Sequence, residues 1–349
     1  MNNALKIPLL VSGIALLLCA SGCFKVEKVP PPKLPYRFVT PFHLFSVASR
    51  DTHVWVAGFD GTIVHSPDSG VTWEQQAGGV KVNLCDISFV SATHGWISGR
   101  AGTMLHTSDG GKTWVRQDTG ISTHLFALCF VDEQNGWAVG DFGTILHTAD
   151  GGATWTQQGS GEDKIYNAVC FIDRQRGWVA GEYGTLYATS DGGAVWHRQE
   201  CREIIPVISE SEWEQNPPSL YGIHFSDARH GFACGMDGTI IATDDGGATW
   251  RKRANPAEAK RVTFYAVTGS GGTWIAVGQR GTAVVSHDNG ATWQMEEGAS
   301  NTKSWLRDLD MADGRTAWAV GSRGTILKTT DAAQRWQVVS GISIAAGAR

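Results

Sequence analysis

Charge is scarce in this sequence, and no stretch of it is strongly basic. Charged residues make up 18% of the 349, the formal net charge is −5, and the lysines and arginines are scattered. That balance excludes the electrostatic footprint of a nucleic-acid binder or of a protein held to anionic lipid by a polybasic patch. The motifs that carry common chemistries are missing too. There is no C-x-x-C pair, no H-E-x-x-H, no G-x-S-x-G elbow and no Walker-type phosphate loop. No apolar run reaches the ~20 residues a spanning helix needs. What the chain does have is 43 glycines and 15 tryptophans, a composition suited to many short strands and tight turns.

The N-terminus stands apart from the rest. Lys6, the apolar run Ile7 to Leu18 and the small residues Ala20-Ser21-Gly22 read as a signal peptide over residues 1–22. Cys23, directly after Ala-Ser-Gly, resembles a bacterial lipobox cysteine and is the expected lipid attachment point, with an ordinary cleaved signal as the alternative. Residues 23–40 are charged and proline-rich, as an extended tether should be. Phe24, in place of Asp, points to the outer rather than the inner membrane in a cell of the enteric type. Export places the remaining cysteines Cys85, Cys129, Cys170, Cys201 and Cys234 on the oxidising side. Their odd number and scatter favour core packing, with one disulfide open.

The body of the chain, 41–341, is repetitive. G-x-x-G-T strings begin at Gly58, Gly99, Gly140, Gly181, Gly235, Gly278 and Gly321, so the period is 41 to 43 residues except for one step of 54. Each unit reads as four strands, such as Leu125 to Val131, Gly136 to Gly140, Thr144 to Thr148 and Trp155 to Gln158, separated by turn residues. Seven four-stranded units predict an all-β fold, a seven-bladed β-propeller whose radial packing protects the strand edges. An open solenoid is disfavoured because no capping repeat is evident. The long step is an insertion, 198–219, between blades four and five, and 342–349 is left as a tail.

The turn between third and fourth strands resembles the Asp-box of the BNR superfamily. Its aspartates are Asp68, Asp109, Asp150, Asp191, Asp245, Asp288 and Asp331, each followed five residues later by Trp73, Trp114, Trp155, Trp196, Trp250, Trp293 or Trp336. The seventh copy lacks the glycine. Physically this is a structural staple: the carboxylate accepts backbone N–H groups, the glycine supplies positive φ, and the tryptophan packs between sheets. A calcium-loop reading fails for want of alternating oxygen ligands and a bidentate Glu, so no metal or other cofactor is expected. His65, His106 and His147 recur at one repeat position, which marks a strand position rather than a ligand cluster.

A sialidase-like hydrolase would also carry Asp-boxes, but its Arg-Ile-Pro motif is absent, and xyloglucan-directed hydrolases resemble two facing propellers where this chain has one. No catalytic residue is assigned. A propeller displays the two variable residues of each G-x-x-G hairpin on one rim, opposite the Asp-boxes. Around that rim Arg280, Arg323 and Arg100 on blades six, seven and two form a basic arc, and Asp141, Glu182 and Asp237 on blades three to five an acidic one; Phe59 and Asp60 are on blade one, and Phe142 and Tyr183 stand beside Asp141 and Glu182. The insertion adds Trp213 and five glutamates on the same face. Aromatics and arginines at exposed tips suggest a protein-binding rim.

Copies such as Gly136-Trp-Ala-Val-Gly-Asp-Phe-Gly-Thr-Ile-Leu-His-Thr-Ala-Asp-Gly-Gly-Ala-Thr-Trp155 are similar to the Ycf48/HCF136 family of photosystem II assembly factors and their bacterial relatives. The resemblance covers nearly the whole mature chain. It implies a seven-bladed propeller lipoprotein that holds membrane-protein subunits during assembly, without catalysis. Where the photosystem factors share an arginine-rich patch, three hairpin-tip arginines answer to it here. The expected protein is therefore a monomeric, lipid-anchored envelope scaffold on the periplasmic side. A glycan-directed hydrolase or carbohydrate-binding propeller is the alternative.

Overall fold

A computed structural model describes residues 42–159, 161–206, 216–296 and 302–339. Every strand among them belongs to one of seven four-stranded antiparallel sheets, and each sheet takes its strands in sequence order. These are the seven blades. Blade three, Leu125–Phe130, Gly136–Gly140, Ile145–Thr148 and Thr156–Gln157, shows how closely the pattern follows the sequence. Among the described residues no α-helix occurs; the short helical turns are all 3-10.

The innermost strands are Leu44–Arg50, Leu84–Phe89, Leu125–Phe130, Tyr166–Phe171, Leu220–Phe225, Phe264–Ser270 and Leu306–Met311. They stand side by side around a central channel, and the seventh packs against the first, so the ring closes. Among the described residues no sheet mixes strands from the two ends of the chain. Closure uses side chains and one backbone bond: Ser46 and Val47 of blade one bond to Asp308 of blade seven, Ser49 bonds to Asp310, Lys328 Nζ donates to the Ser69 carbonyl, and Gly324 N–H donates to the Phe42 carbonyl.

Between most neighbouring blades one device recurs. A second-strand tryptophan lies flat on a phenylalanine that ends the next blade's inner strand, as in Trp96 on Phe130 (3.7 Å) and Trp137 on Phe171 (3.5 Å). The next blade's Asp-box tryptophan meets that phenylalanine edge-on, Trp155 at 6.0 Å and Trp196 at 5.9 Å. The second-strand indole N–H then donates to a glycine carbonyl of the next blade's Asp-box: Trp55 to Gly110, Trp96 to Gly151, Trp137 to Gly192 and Trp178 to Gly246, at 2.9 to 3.0 Å. Gln76, Gln117 and Gln158 donate to the same carbonyls in the first three cases. The Asp-box therefore does more than close its own hairpin; it fastens its blade to the preceding one.

Inside each box the Ser or Thr hydroxyl and a backbone N–H four residues after the Asp both donate to its carboxylate, and five boxes add a Thr hydroxyl, which Val195 in blade four and Arg335 in blade seven lack. In blade two, Thr107 Oγ1 donates to Asp109, accepts from Gly111 N–H, and the Thr113 N–H and hydroxyl both donate to the Asp109 carboxylate. The seventh box keeps this shape without glycine by holding Ala332 and Ala333 at φ of 59° and 66°. His106 and His147 stack on Trp96 and Trp137, and His65 on Trp55, which accounts for their recurrence. All five described cysteines are free thiols.

Candidate functional site

Each G-x-x-G hairpin is held from two sides. The first variable residue donates its N–H to the carbonyl just ahead of its own inner strand, as Phe59 does to His43, Glu182 to Ile165 and Ser322 to Trp305. The following glycine in five blades donates to the segment entering the next blade: Gly61 to Val82, Gly102 to Thr123, Gly143 to Lys164, Gly238 to Val262 and, across the ring closure, Gly324 to Phe42. Between them the second variable residue is left-handed in every blade, with φ from 53° to 58° at Asp60, Ala101, Phe142, Tyr183, Asp237, Arg280 and Arg323. A non-glycine residue there costs on the order of 1 kcal/mol or more, and persists only where the surroundings dictate it. The result is a rigid rim of displayed side chains. Phe59, Phe142 and Tyr183 are 41%, 58% and 50% exposed.

The charges on this rim are not equivalent. Asp141 and Glu182 turn back, accepting the N–H of His124 (3.3 Å) and of Ile165 (3.1 Å), and Asp237 faces Arg261 at 3.5 Å. Arg100, Arg280 and Arg323 have no ion-pair partner among the described residues. The acidic arc read from sequence is thus partly spent on the fold, whereas the basic arc is free. Trp213 and Cys23 lie outside the described residues. What is described of the insertion lines a groove of about 600 Å³, with Ile205, Pro217 and Pro218 facing Tyr183 and Met236.

Inside the rim lies a ring that sequence reasoning missed. In all seven blades the pairing of inner and second strands slips by one residue near the start of the inner strand, a β-bulge at Phe45, Cys85, Phe126, Asn167, Tyr221, Tyr265 and Arg307. A bulge re-aims its extra side chain, and here all seven line one cavity of about 130 Å³ at the channel mouth, on the rim face. Tyr221 meets Tyr265 edge-on at 5.7 Å, and the Arg307 guanidinium lies over Tyr265 at 5.2 Å. Burial pushes the Cys85 thiol up to about 11, so it stays protonated.

The cavity floor holds two carboxyl groups, Asp86 from blade two and Asp308 from blade seven, on either side of the Ser46 hydroxyl at 2.7 Å each. Facing carboxyls are what a glycosidase needs, but these point their oxygens into the protein. Asp86 accepts the N–H groups of Ile87 and Leu128, and Asp308 those of Val47 and Leu309. A space of about 130 Å³ is benzene-sized, too small for a sugar chain. Among the described residues no group of His, Cys, Asp and Glu could hold a metal ion.

The family described as photosynthesis system II assembly factor YCF48 matches residues 72–160, 205–295 and 265–330, more than half of the chain. The chain belongs to the Ycf48 family. A curated relative, the photosystem II assembly lipoprotein Ycf48 of Prochlorococcus marinus, is 42% identical over 57 residues, a match spanning 14% of this chain and only 16% of that relative. Among solved structures, YCF48 bound to D1 peptide superposes with a TM-score of 0.68 at 18% identity, covering 84% of this chain and 93% of the other. YCF48 from Cyanidioschyzon merolae gives 0.65 at 18% identity, over 83% and 96%. A GH74 xyloglucanase from Xanthomonas campestris also gives 0.65, at 14% identity, over 86% of this chain and 55% of that one. At these identities the structural likenesses speak for the fold alone. This Ycf48-family chain puts its most recognisable motif, the Asp-box, to structural use.

Proposed function

We propose that this Ycf48-family propeller is a non-enzymatic scaffold that holds a segment of a membrane-protein subunit while an envelope complex is assembled. The observation that carries this reading is the rim face itself: exposed aromatics and three unpaired arginines set rigidly around a mouth lined by Phe45, Phe126, Tyr221, Tyr265 and Arg307. Aromatics and arginine are the residues that anchor protein interfaces, and pre-set backbone reduces the ordering cost of binding. One relative's structure is of YCF48 bound to D1 peptide; by analogy the occupant here is an extended peptide segment crossing the mouth. Lipid attachment at Cys23, on the periplasmic side of the outer membrane, would hold the scaffold near its client. The opposing glycan-hydrolase reading loses its best pair of carboxyls, because Asp86 and Asp308 spend their oxygens on backbone N–H groups and Ser46.

The test is combined charge reversal, Arg100→Glu, Arg280→Glu and Arg323→Glu, in the native lipoprotein, followed by crosslinking and recovery of attached envelope proteins. Loss of the wild-type adducts with the far-ultraviolet spectrum retained is the expected result. An unchanged adduct set would dispose of the rim as the binding face.

A further inference from the structure

The floor of the channel mouth contains more hydrogen-bond contacts than it has ordinary hydrogens to fill. Ser46 Oγ lies 2.7 Å from Asp86 Oδ1 and 2.7 Å from Asp308 Oδ2, both at the optimum for an O–H···O bond. The hydroxyl has a single hydrogen, and its oxygen already accepts the N–H of Ile87 at 3.2 Å. If both carboxyls were ionised, one of the two short contacts would be oxygen against oxygen with nothing between. A second proton, on one of the carboxyls, completes the chain Asp86–Ser46–Asp308. We propose that these two aspartates share one proton across Ser46 at neutral pH, and that this proton clasps the seam where the first and last blades meet.

The position of the clasp is what gives it leverage. Asp308 belongs to blade seven and also holds Val47 N–H of blade one; Asp86 belongs to blade two and also holds Leu128 N–H of blade three. Four of the seven inner strands are therefore joined through one hydrogen-bonded chain. The seam is the junction that the run of the chain from blade to blade does not join, and among the described residues no sheet contains strands from both ends of the chain. With the proton gone, two negative charges would face each other across one hydroxyl, and the seam and the mouth above it would loosen.

The surroundings agree with a retained proton. Burial, first, and the neighbouring Asp308 push the Asp86 carboxyl well above the usual carboxylate range, and burial does the same to Asp308, with Asp310 adding to it. Arg307 lines the same cavity but makes no ion pair with either carboxyl. The other facing groups are Cys85 beside Asp86, Cys129 on blade three, and Tyr221 and Tyr265 across the cavity. Burial raises both thiols to about 11 and lifts Tyr221 as well, so they stay neutral through the range in question.

The sign follows from linkage. The unfolded chain releases these protons near pH ~4 and the folded chain releases them later, so the clasp contributes fully below that value and is eroded as pH rises toward and past neutrality. Buried His65 and half-buried His106, His147 and His224, all held below their ordinary pKa first by desolvation, work in the opposite direction over an overlapping range. The informative quantity is therefore the difference between wild type and Asp86→Asn, a neutral side chain of nearly the same shape that cannot titrate. Two measurements on the full chain decide the matter. Infrared spectra at about pH 6, where ordinary carboxyls are ionised, should contain a protonated-carboxyl band in wild type that Asp86→Asn removes; its absence from wild type overturns the proposal even if the variant fails to fold. Thermal unfolding between about pH 5 and pH 9 should show the wild-type midpoint falling by several degrees relative to Asp86→Asn or, if that variant is unfolded, to Asp308→Asn. A band that persists unchanged in Asp86→Asn and in Asp308→Asn would place the proton on another group, and would equally overturn it.

Discussion

Replacing Trp137 by Phe removes one hydrogen bond and part of one ring from a blade junction, which makes its consequence calculable. Trp137 is fully buried, stacks on Phe171 at 3.5 Å with 6° between planes, and donates to the Gly192 carbonyl at 3.0 Å. Blade five has Phe232 at the equivalent position; there the ring meets Trp274 at 4.3 Å and 44°, and the indole N–H of Trp274 turns to Asn289 of its own blade. Removing the hydrogen bond should cost about 1 kcal/mol. The smaller ring leaves part of a cavity, which adds about 1 to 2 kcal/mol. Urea unfolding of Trp137→Phe should therefore show a loss of about 2 to 3 kcal/mol as a lowered midpoint with unchanged slope. Because Gln158 donates to the same carbonyl at 3.1 Å, adding Gln158→Ala should cost more than the sum of the two single changes, since the buried carbonyl is then orphaned. A loss below about 0.5 kcal/mol, within the range of inconsequential surface changes, would refute the claim that tryptophan-to-Asp-box bonds hold neighbouring blades together.

Three further outcomes follow from the same geometry. In Gly111→Ala the new Cβ would lie 2.0 Å from Gln76 Oε1 at φ of +87°, so a loss of about 2 kcal/mol or more is expected in the same urea assay. Ala332→Gly should stabilise by about 0.5 to 1 kcal/mol, since alanine there sits at φ of 59°. Acid sensitivity belongs to the Asp-boxes: hydrogen bonds hold Asp68, Asp109, Asp150 and Asp288 down to about 2, chiefly from the hydroxyls and N–H groups of Thr72, Thr113, Thr154 and Thr292. Their contribution is complete above the unfolded pKa of about 4 and is lost as pH falls toward 2. A circular-dichroism acid titration of Asp109→Asn should accordingly be shallower over that interval than that of wild type.

Repetition made the fold legible. A motif present seven times at one spacing fixes strand count, turn position and blade number together, and the Ser or Thr of each box donates to its Asp in every copy. The site was harder to read, because its parts do not repeat in chemistry. The bulge position is Phe, Cys, Phe, Asn, Tyr, Tyr and Arg in successive blades, so no pattern of residue types announces it; the only signal is its fixed place, one residue into each inner strand. Asp86 and Asp308 are brought together by ring closure alone, from blades two and seven. The rim was predictable as a location but not as an electrostatic surface. Whether Asp141 points to solvent or folds back on His124 N–H depends on the hairpin's backbone, which the sequence specifies only through its glycines.

The proposed function puts the binding face at the rim and mouth and leaves the Asp-box face free. Site-specific photo-crosslinking in the native envelope addresses it directly, with the crosslinker placed singly at Phe142, Tyr183 or Tyr265 and, on the opposite face, at the exposed Asp-box residues Val71 or Val195. Adducts to a membrane-protein subunit from the first three positions and none from the last two are the predicted result. Adducts from Val71 and Val195, with none from the rim and mouth, would contradict it.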